Sequence, residues 1–171
     1  MWEPDLLERR ISAEPGARGF LLVLPCPAGP LPAHAAQLAD ARVAALVSLV
    51  PLEEARMLGL DLEALERACS ERGIRWAHAP LVDFGVPDTA FEGVWERLGA
   101  ELRGLLGEAL GLALHCRAGL GRSGTIAARL LIELGLDPAE ASARVRAARP
   151  GAIETAAQEH HLLRSVRRGG G

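Results

Sequence analysis

The chain contains no lysine, no asparagine and no tyrosine. All 19 basic residues are arginines, set against 22 acidic ones, which leaves a net charge of −3. That balance excludes a general nucleic-acid binder, which needs a basic footprint. The three missing residue types use AT-rich codons, so the pattern points to a GC-rich, bacterial genome. Long apolar runs are also missing. The longest, near Phe20–Pro25 and Val43–Leu52, fall well short of the roughly 20 residues that span a bilayer. Met1–Arg10 is charged and has no apolar h-region, so no secretory signal is expected. Cysteines number three (Cys26, Cys69, Cys116), an odd count at no framework spacing. That excludes a disulfide scaffold and fits free thiols in a reducing cytoplasm. No Cys/His pair stands at zinc spacing, so neither a metal nor a cofactor is expected.

What is present fits one globular domain: 171 residues, 49% hydrophobic and 24% charged. A chain of this length buries roughly 70% of its unfolded surface without staples. Residues 1–19 carry Pro4, Pro15, Gly16 and Gly19 and read as an N-terminal arm or edge hairpin. Residues 20–168 read as the domain, and 169–171 as a flexible tail. Apolar runs predict strands at Phe20–Leu24, Ala44–Val50, Ile74–Ala79 and Leu112–His115. Helical spacing predicts helices at Ala33–Arg42, Leu60–Arg72 (ending at Gly73), from Asp88 or Thr89 onward, Ser123–Leu134, Pro138–Ala148 and Thr155–Arg167. The helix after Asp88 is expected to present Phe91, Val94, Trp95, Leu98, Leu102, Leu105 and Leu106 on one face. Strands alternating with helices imply an α/β fold around a central, mostly parallel sheet of four to five strands, flanked by helices on both faces. Ligands of such sheets sit at the carboxyl ends of the strands.

One of those ends carries His115-Cys116-Arg117-Ala118-Gly119-Leu120-Gly121-Arg122-Ser123. A loop entering a helix N-terminus aims backbone N–H groups into one cavity, and the helix dipole adds positive potential. Gly119 and Gly121 permit positive φ and close backbone approach. Arg122 can close the rim with a bidentate fork on two phosphate oxygens. A thiol in such a field ionises more readily than an ordinary one, whose pKa is about 8.5. Cys116 is therefore the candidate nucleophile and phosphorus its target. Ser123 can donate to the sulfur, and His115 can fix the loop by bonding to its backbone. A leaving alkoxide needs a proton, for which Asp83 and Asp88 are candidates in a Gly/Pro loop between a strand and a helix. Asp88 also sits where a helix N-cap belongs.

His115–Ser123 resembles the signature of the cysteine-dependent protein tyrosine phosphatase superfamily. Three further stretches narrow the resemblance to its small dual-specificity branch, and especially to the kinase-associated (cyclin-dependent kinase inhibitor 3-type) phosphatases. These are Leu24-Pro25, the run His78 to Asp88, and Gly151-Ala152-Ile153-Glu154-Thr155-Ala156-Ala157-Gln158. The resemblance implies that Asp83 is the acid and that Gln158 positions the water that hydrolyses a phosphocysteine. It implies that residues Arg117, Ala118, Gly119, Leu120, Gly121 and Arg122 bind phosphate. Phosphorylated protein or a small phosphomonoester is the implied substrate, with phosphate, sulfate or vanadate as site ligands. A monomer with no nucleic-acid or membrane partner is expected. Arg117 stands where lipid phosphatases of the superfamily carry basic residues, but Leu120 is apolar at another such position, so inositol phosphates are the lesser alternative. A silent phosphopeptide-binding module is disfavoured by the intact Cys116, Arg122 and Asp83. The Arg144, Arg146 and Arg149 group reads as a solvated helix face.

Overall fold

The computed structural model describes residues 1–165. Helix α1 (Pro4–Glu8) and strand β1 (Ile11–Ser12) precede β2 (Phe20–Leu24), α2 (Leu31–Asp40) and β3 (Val43–Ser48). Then come α3 (Leu52–Met57), α4 (Leu62–Ser70), β4 (Arg75–His78), α5 (Thr89–Gly107) and β5 (Gly111–His115). Helices α6 (Gly121–Glu133), α7 (Pro138–Ala148) and α8 (Ala156–Ser165) complete the order. Arg167, the last residues of the expected domain and the expected tail lie outside the described residues.

The five strands run in the order β1-β2-β5-β3-β4. Only β1 is antiparallel, pairing Ile11 with Leu21, whereas β2, β5, β3 and β4 are mutually parallel. Parallel strands are buried on both faces, and each face has its own apolar cluster. One gathers Val23, Val47, Leu112 and Leu114 with Phe91, Trp95, Ile126, Leu130, Val145 and Leu162 from the later helices. The other gathers Leu22, Leu24 and Leu46 with Leu38, Ala55, Leu65 and Cys69 from α2, α3 and α4. Helix α6 is the pivot of the first cluster, with every residue from Gly121 to Ile132 buried.

The local signals explain most boundaries. Asp61, Asp88 and Asp137 cap α4, α5 and α7, each accepting a hydrogen bond from a first-turn amide. Gly73, with φ +69°, closes the turn after α4. Four readings need correction. Val94 is 43% exposed, because 100° per residue puts it about 100° from Trp95, on the edge of the buried stripe that runs through Phe91, Trp95, Leu102 and Leu106. Trp76, expected in the core from its place in the apolar run Ile74–Ala79, is half-buried, with its indole N–H on Ser48 Oγ at 2.9 Å. Two short helices, α1 and α3, were not anticipated. The arginines of α7 are not a solvated face. Arg144 bonds the backbone carbonyls of Ser12 and Glu14, and Arg146 those of Ala152 and Ile153. Arg149 reaches the loop after β5.

Candidate active site

The parallel register Leu24↔His115↔Ser48 brings three strand ends into line. The segments that leave these ends build the site. After β5 the chain turns through Cys116–Leu120 into α6, and Cys116 is buried with its Sγ 3.2 Å from Ser123 Oγ. The carbonyls from Arg117 to Gly121 each accept a hydrogen bond. Cys26 N–H donates to Arg117 O at 3.0 Å, and Arg149 donates to Ala118 O and Gly119 O. The N–H groups of Gly124 and Ile153 donate to Leu120 O, and Thr125 Oγ1 donates to Gly121 O. In a trans peptide the N–H points opposite to the C=O. Turning these carbonyls outward turns the N–H groups of Ala118 to Arg122 inward, where none has an acceptor among the described residues. Gly119 makes the turn possible with φ +68°.

Arg122 is buried at 1% exposure. Its Nη1 and Nη2 donate to the two carboxylate oxygens of Glu54 at 2.6 and 2.8 Å, and Nη1 also to Leu81 O at 3.1 Å. Asp83 Oδ1 lies 3.1 Å from Nη2. The remaining donor, Nε–H, is buried and has no partner among the described residues. Hydrogen bonds from Arg122 hold the Glu54 carboxyl below the usual carboxylate range, with Arg117 adding to the effect and burial opposing it. Desolvation alone would lower the Arg122 pKa, but Glu54, Cys116 and Asp83 together raise it, so the guanidinium stays charged. Glu54 was missed by sequence reasoning. Acidic residues in the first turn after Pro51 signal a helix start, but nothing local says that one of them meets an arginine 68 positions later.

His115 is buried at the end of β5, and its Nε2 lies 2.6 Å from Ser48 Oγ on β3. It therefore ties the base of the loop to a neighbouring strand. Trp76 Nε1 can only donate, so the same Ser48 hydroxyl accepts from it and links Trp76 to His115. Burial pushes the His115 pKa down to about 4, with the Cys116 backbone opposing and His78 and Arg122 assisting. Burial likewise pushes the thiols of Cys26 and Cys69 up to about 11, so neither is an anion at neutral pH.

Asp83 sits in an exposed turn, accepting from Phe84 N–H at 3.0 Å, with Gly85 N–H closing the turn onto Val82 O. Asp88 is instead bound to Phe91 N–H at 2.8 Å as the cap of α5. Gln158 is fully buried. Its Oε1 accepts from the amides of Glu154 and Thr155, and its Nε2 donates to Gly85 O at 3.2 Å. A methyl on Gly121 would stand 3.1 Å from that same Nε2. One side chain thus ties the Asp83 turn to the late segment, beside the first residue of α6. The structure brings Cys116, Ser123, Arg122, Asp83, His115 and Gln158 to one end of the sheet and leaves Asp88 in a capping role. Arg117 and Ala118 are on its exposed rim, Leu120 is half-buried, and Gly119 and Gly121 are buried. Among the described residues no cluster of three or more His, Cys, Asp or Glu is placed to hold a metal ion, and no helix is long and apolar enough to cross a membrane.

Residues 25–136, well over half the chain, match the Tc-R-P family model, described as a polymorphic toxin system DSP-PTPase phosphatase. Among solved structures, a kinase-associated phosphatase carrying serine for its catalytic cysteine superposes with a TM-score of 0.77 at 24% identity, over 94% of this chain and 93% of its own. The active form of Tk-PTP matches with a TM-score of 0.70 at 27% identity, over 98% and 99% of the two chains. A protein tyrosine phosphatase from Leishmania major matches at 0.63 and 27% identity, over 85% and 86%.

Proposed function

This chain belongs to the DSP-PTPase phosphatases of polymorphic toxin systems, and on that premise we propose that it hydrolyses phosphomonoesters of tyrosine, and of serine or threonine, through a phosphocysteine formed on Cys116. The observation that carries the reading is the partnerless Nε–H of Arg122, buried beside a loop whose free amides turn inward around Cys116. A buried donor without an acceptor costs about 1–3 kcal/mol, and an oxyanion seated next to Cys116 would repay it.

In the first step Cys116 Sγ attacks phosphorus, the S–P bond forms and the P–O ester bond breaks. The leaving oxygen keeps the electron pair and takes a proton from Asp83. The amides of Ala118 to Arg122 and the Arg122 guanidinium hold the equatorial oxygens, where charge is spread in the transition state. In the second step Asp83 removes a proton from water, the water oxygen attacks phosphorus and the S–P bond breaks. The sulfur recovers its electron pair with Ser123 Oγ beside it at 3.2 Å. Gln158 keeps the Asp83 turn against the loop and has one Nε2 proton left for that water. His115 holds the base of the loop to β3. The chain itself supplies every charge this cycle uses, so the reading includes no cofactor.

The substrate range, a bacterial cytoplasm and a monomeric state belong to the same reading. The three unpaired cysteines and the absence of lysine, asparagine and tyrosine support the bacterial cytoplasm. The test is release of p-nitrophenol from p-nitrophenyl phosphate, followed by a panel of phosphopeptides against inositol phosphates. Wild-type protein is expected to turn over the aryl ester and the phosphopeptides, and Cys116→Ser to turn over neither. Full activity in Cys116→Ser would end the reading.

A further inference from the structure

Of the groups that hold the loop's carbonyls outward, four are backbone N–H groups or a hydroxyl on α6 itself. The exception is Arg149, the residue that ends α7. Its Nε donates to Gly119 O at 2.9 Å and its Nη2 to Ala118 O at 2.8 Å. This is a two-pronged fork of the kind a planar guanidinium makes and an ammonium cannot. The fork falls on two successive peptide units. Those units carry the N–H groups of Gly119 and Leu120, in the middle of the row that turns toward Cys116. Gly119 stands between them with φ +68°, and no Cβ there resists rotation of either plane.

We propose that Arg149 is a positioning residue that locks these two peptide planes and thereby sets the loop's grip on a phosphoryl group. It touches neither substrate nor the reacting atoms. It acts through carbonyls, by making the outward orientation of each C=O the only one that keeps its hydrogen bond. Its own backbone is fixed in turn, with Arg149 N–H on Val145 O at 2.8 Å and Ala152 N–H on Arg149 O at 3.0 Å. The same guanidinium adds positive charge behind the loop. Half-burial lowers its pKa and Arg9 adds repulsion, whereas Cys116 and Asp5 oppose both. The role rests on the phosphatase reading above, and its test is arranged so that the two fail separately.

The experiment measures tungstate binding by calorimetry in a Cys116→Ser background, where turnover plays no part, and p-nitrophenyl phosphate hydrolysis with the cysteine restored. Arg149→Met is expected to weaken tungstate binding about tenfold or more and to lower kcat/KM by a similar factor, less than direct loss of an oxyanion donor costs. Its melting temperature should stay near that of the parent. Millimolar methylguanidinium should restore part of the binding, which a general loss of stability would not allow. Arg149→Lys should recover less than the parent, since an ammonium lacks the rigid planar fork that holds both peptide planes in one orientation. Unchanged tungstate affinity in Arg149→Met overturns the proposal. If that variant does not fold, parental affinity in a folded Arg149→Lys overturns it equally. A parent that binds no tungstate at all would instead fault the phosphatase reading.

Discussion

Glu54 grips Arg122 from behind, with its two carboxylate oxygens 2.6 and 2.8 Å from the two terminal nitrogens of the guanidinium. Glu54 is 14% exposed and Arg122 1%. Taking one partner from such a pair leaves a buried charge without compensation, at a cost of about 3–5 kcal/mol. The pair also fixes which donor points at the site, because the prongs given to Glu54 leave Nε–H over. Glu54→Gln keeps the shape and loses the charge. It is expected to lower kcat on p-nitrophenyl phosphate by roughly tenfold or more and to lower stability in urea. Wild-type turnover in that variant would show that Arg122 needs no such anchor.

Asp83 and Asp88 share a loop but not a fate. Asp88 caps α5 through Phe91 N–H, and loss of a cap costs about 1 kcal/mol. Asp83 bonds only its neighbour's amide and lies 3.1 Å from Arg122. Asp83→Asn is therefore expected to cut kcat by roughly a hundredfold or more with the melting temperature nearly unchanged. Asp88→Ala should do the reverse, keeping most activity and melting earlier. The opposite pairing of effects would reassign the acid.

Much of this was legible in the sequence because the signals are local. The strand at Phe20–Leu24 lies where its apolar run places it, and α7 spans Pro138–Ala148 as its Asp137-Pro138 start announces. The Cys116–Arg122 spacing already implied a cradle, since its chemistry lies within nine consecutive residues. What the sequence hid are relations between distant segments. Glu54 looks like any acidic residue in a first helical turn until β3 is laid beside β5. Arg149 looks solvated until α7 is packed against α6. Short helices such as α3 hide for a further reason: six residues hold too little periodicity to stand out from the strand before them.

The histidine at the end of β5 gives the fold a pH dependence. In the folded chain the His115 pKa is held down to about 4 by burial, below the ordinary 6.5. The unfolded chain therefore takes up a proton first as pH drops. The stabilising contribution is full above about 6.5 and is lost as pH falls through about 4, amounting to roughly 3 kcal/mol at 1.36 kcal/mol per unit. Burial moves His34 in the same direction. Urea unfolding between pH 7 and pH 4 should show stability falling across this window. His115→Gln, which can still meet Ser48, should flatten the slope. A variant with the parental slope would place the titration elsewhere.

Gly119 offers the sharpest test of the cradle's shape. With φ +68° it adopts a conformation that side-chain-bearing residues resist, and a Cβ there would stand 2.5 Å from Pro25 N and 2.6 Å from Leu24 O. Both atoms are backbone at the end of β2, where Cys26 N–H is itself tied to Arg117 O, so neither can step aside cheaply. Gly119→Ala must shift the loop or rotate the peptide planes next to it, and either change turns an inward amide away from Cys116. Activity and tungstate binding are expected to fall together, by roughly a hundredfold for the loss of one well-aimed donor. Gly107→Ala is the matched control, since its added Cβ meets nothing within 4 Å and it lies at the last turn of α5. Comparable losses in both variants would mean that general destabilisation, rather than the aim of the amides, governs the site.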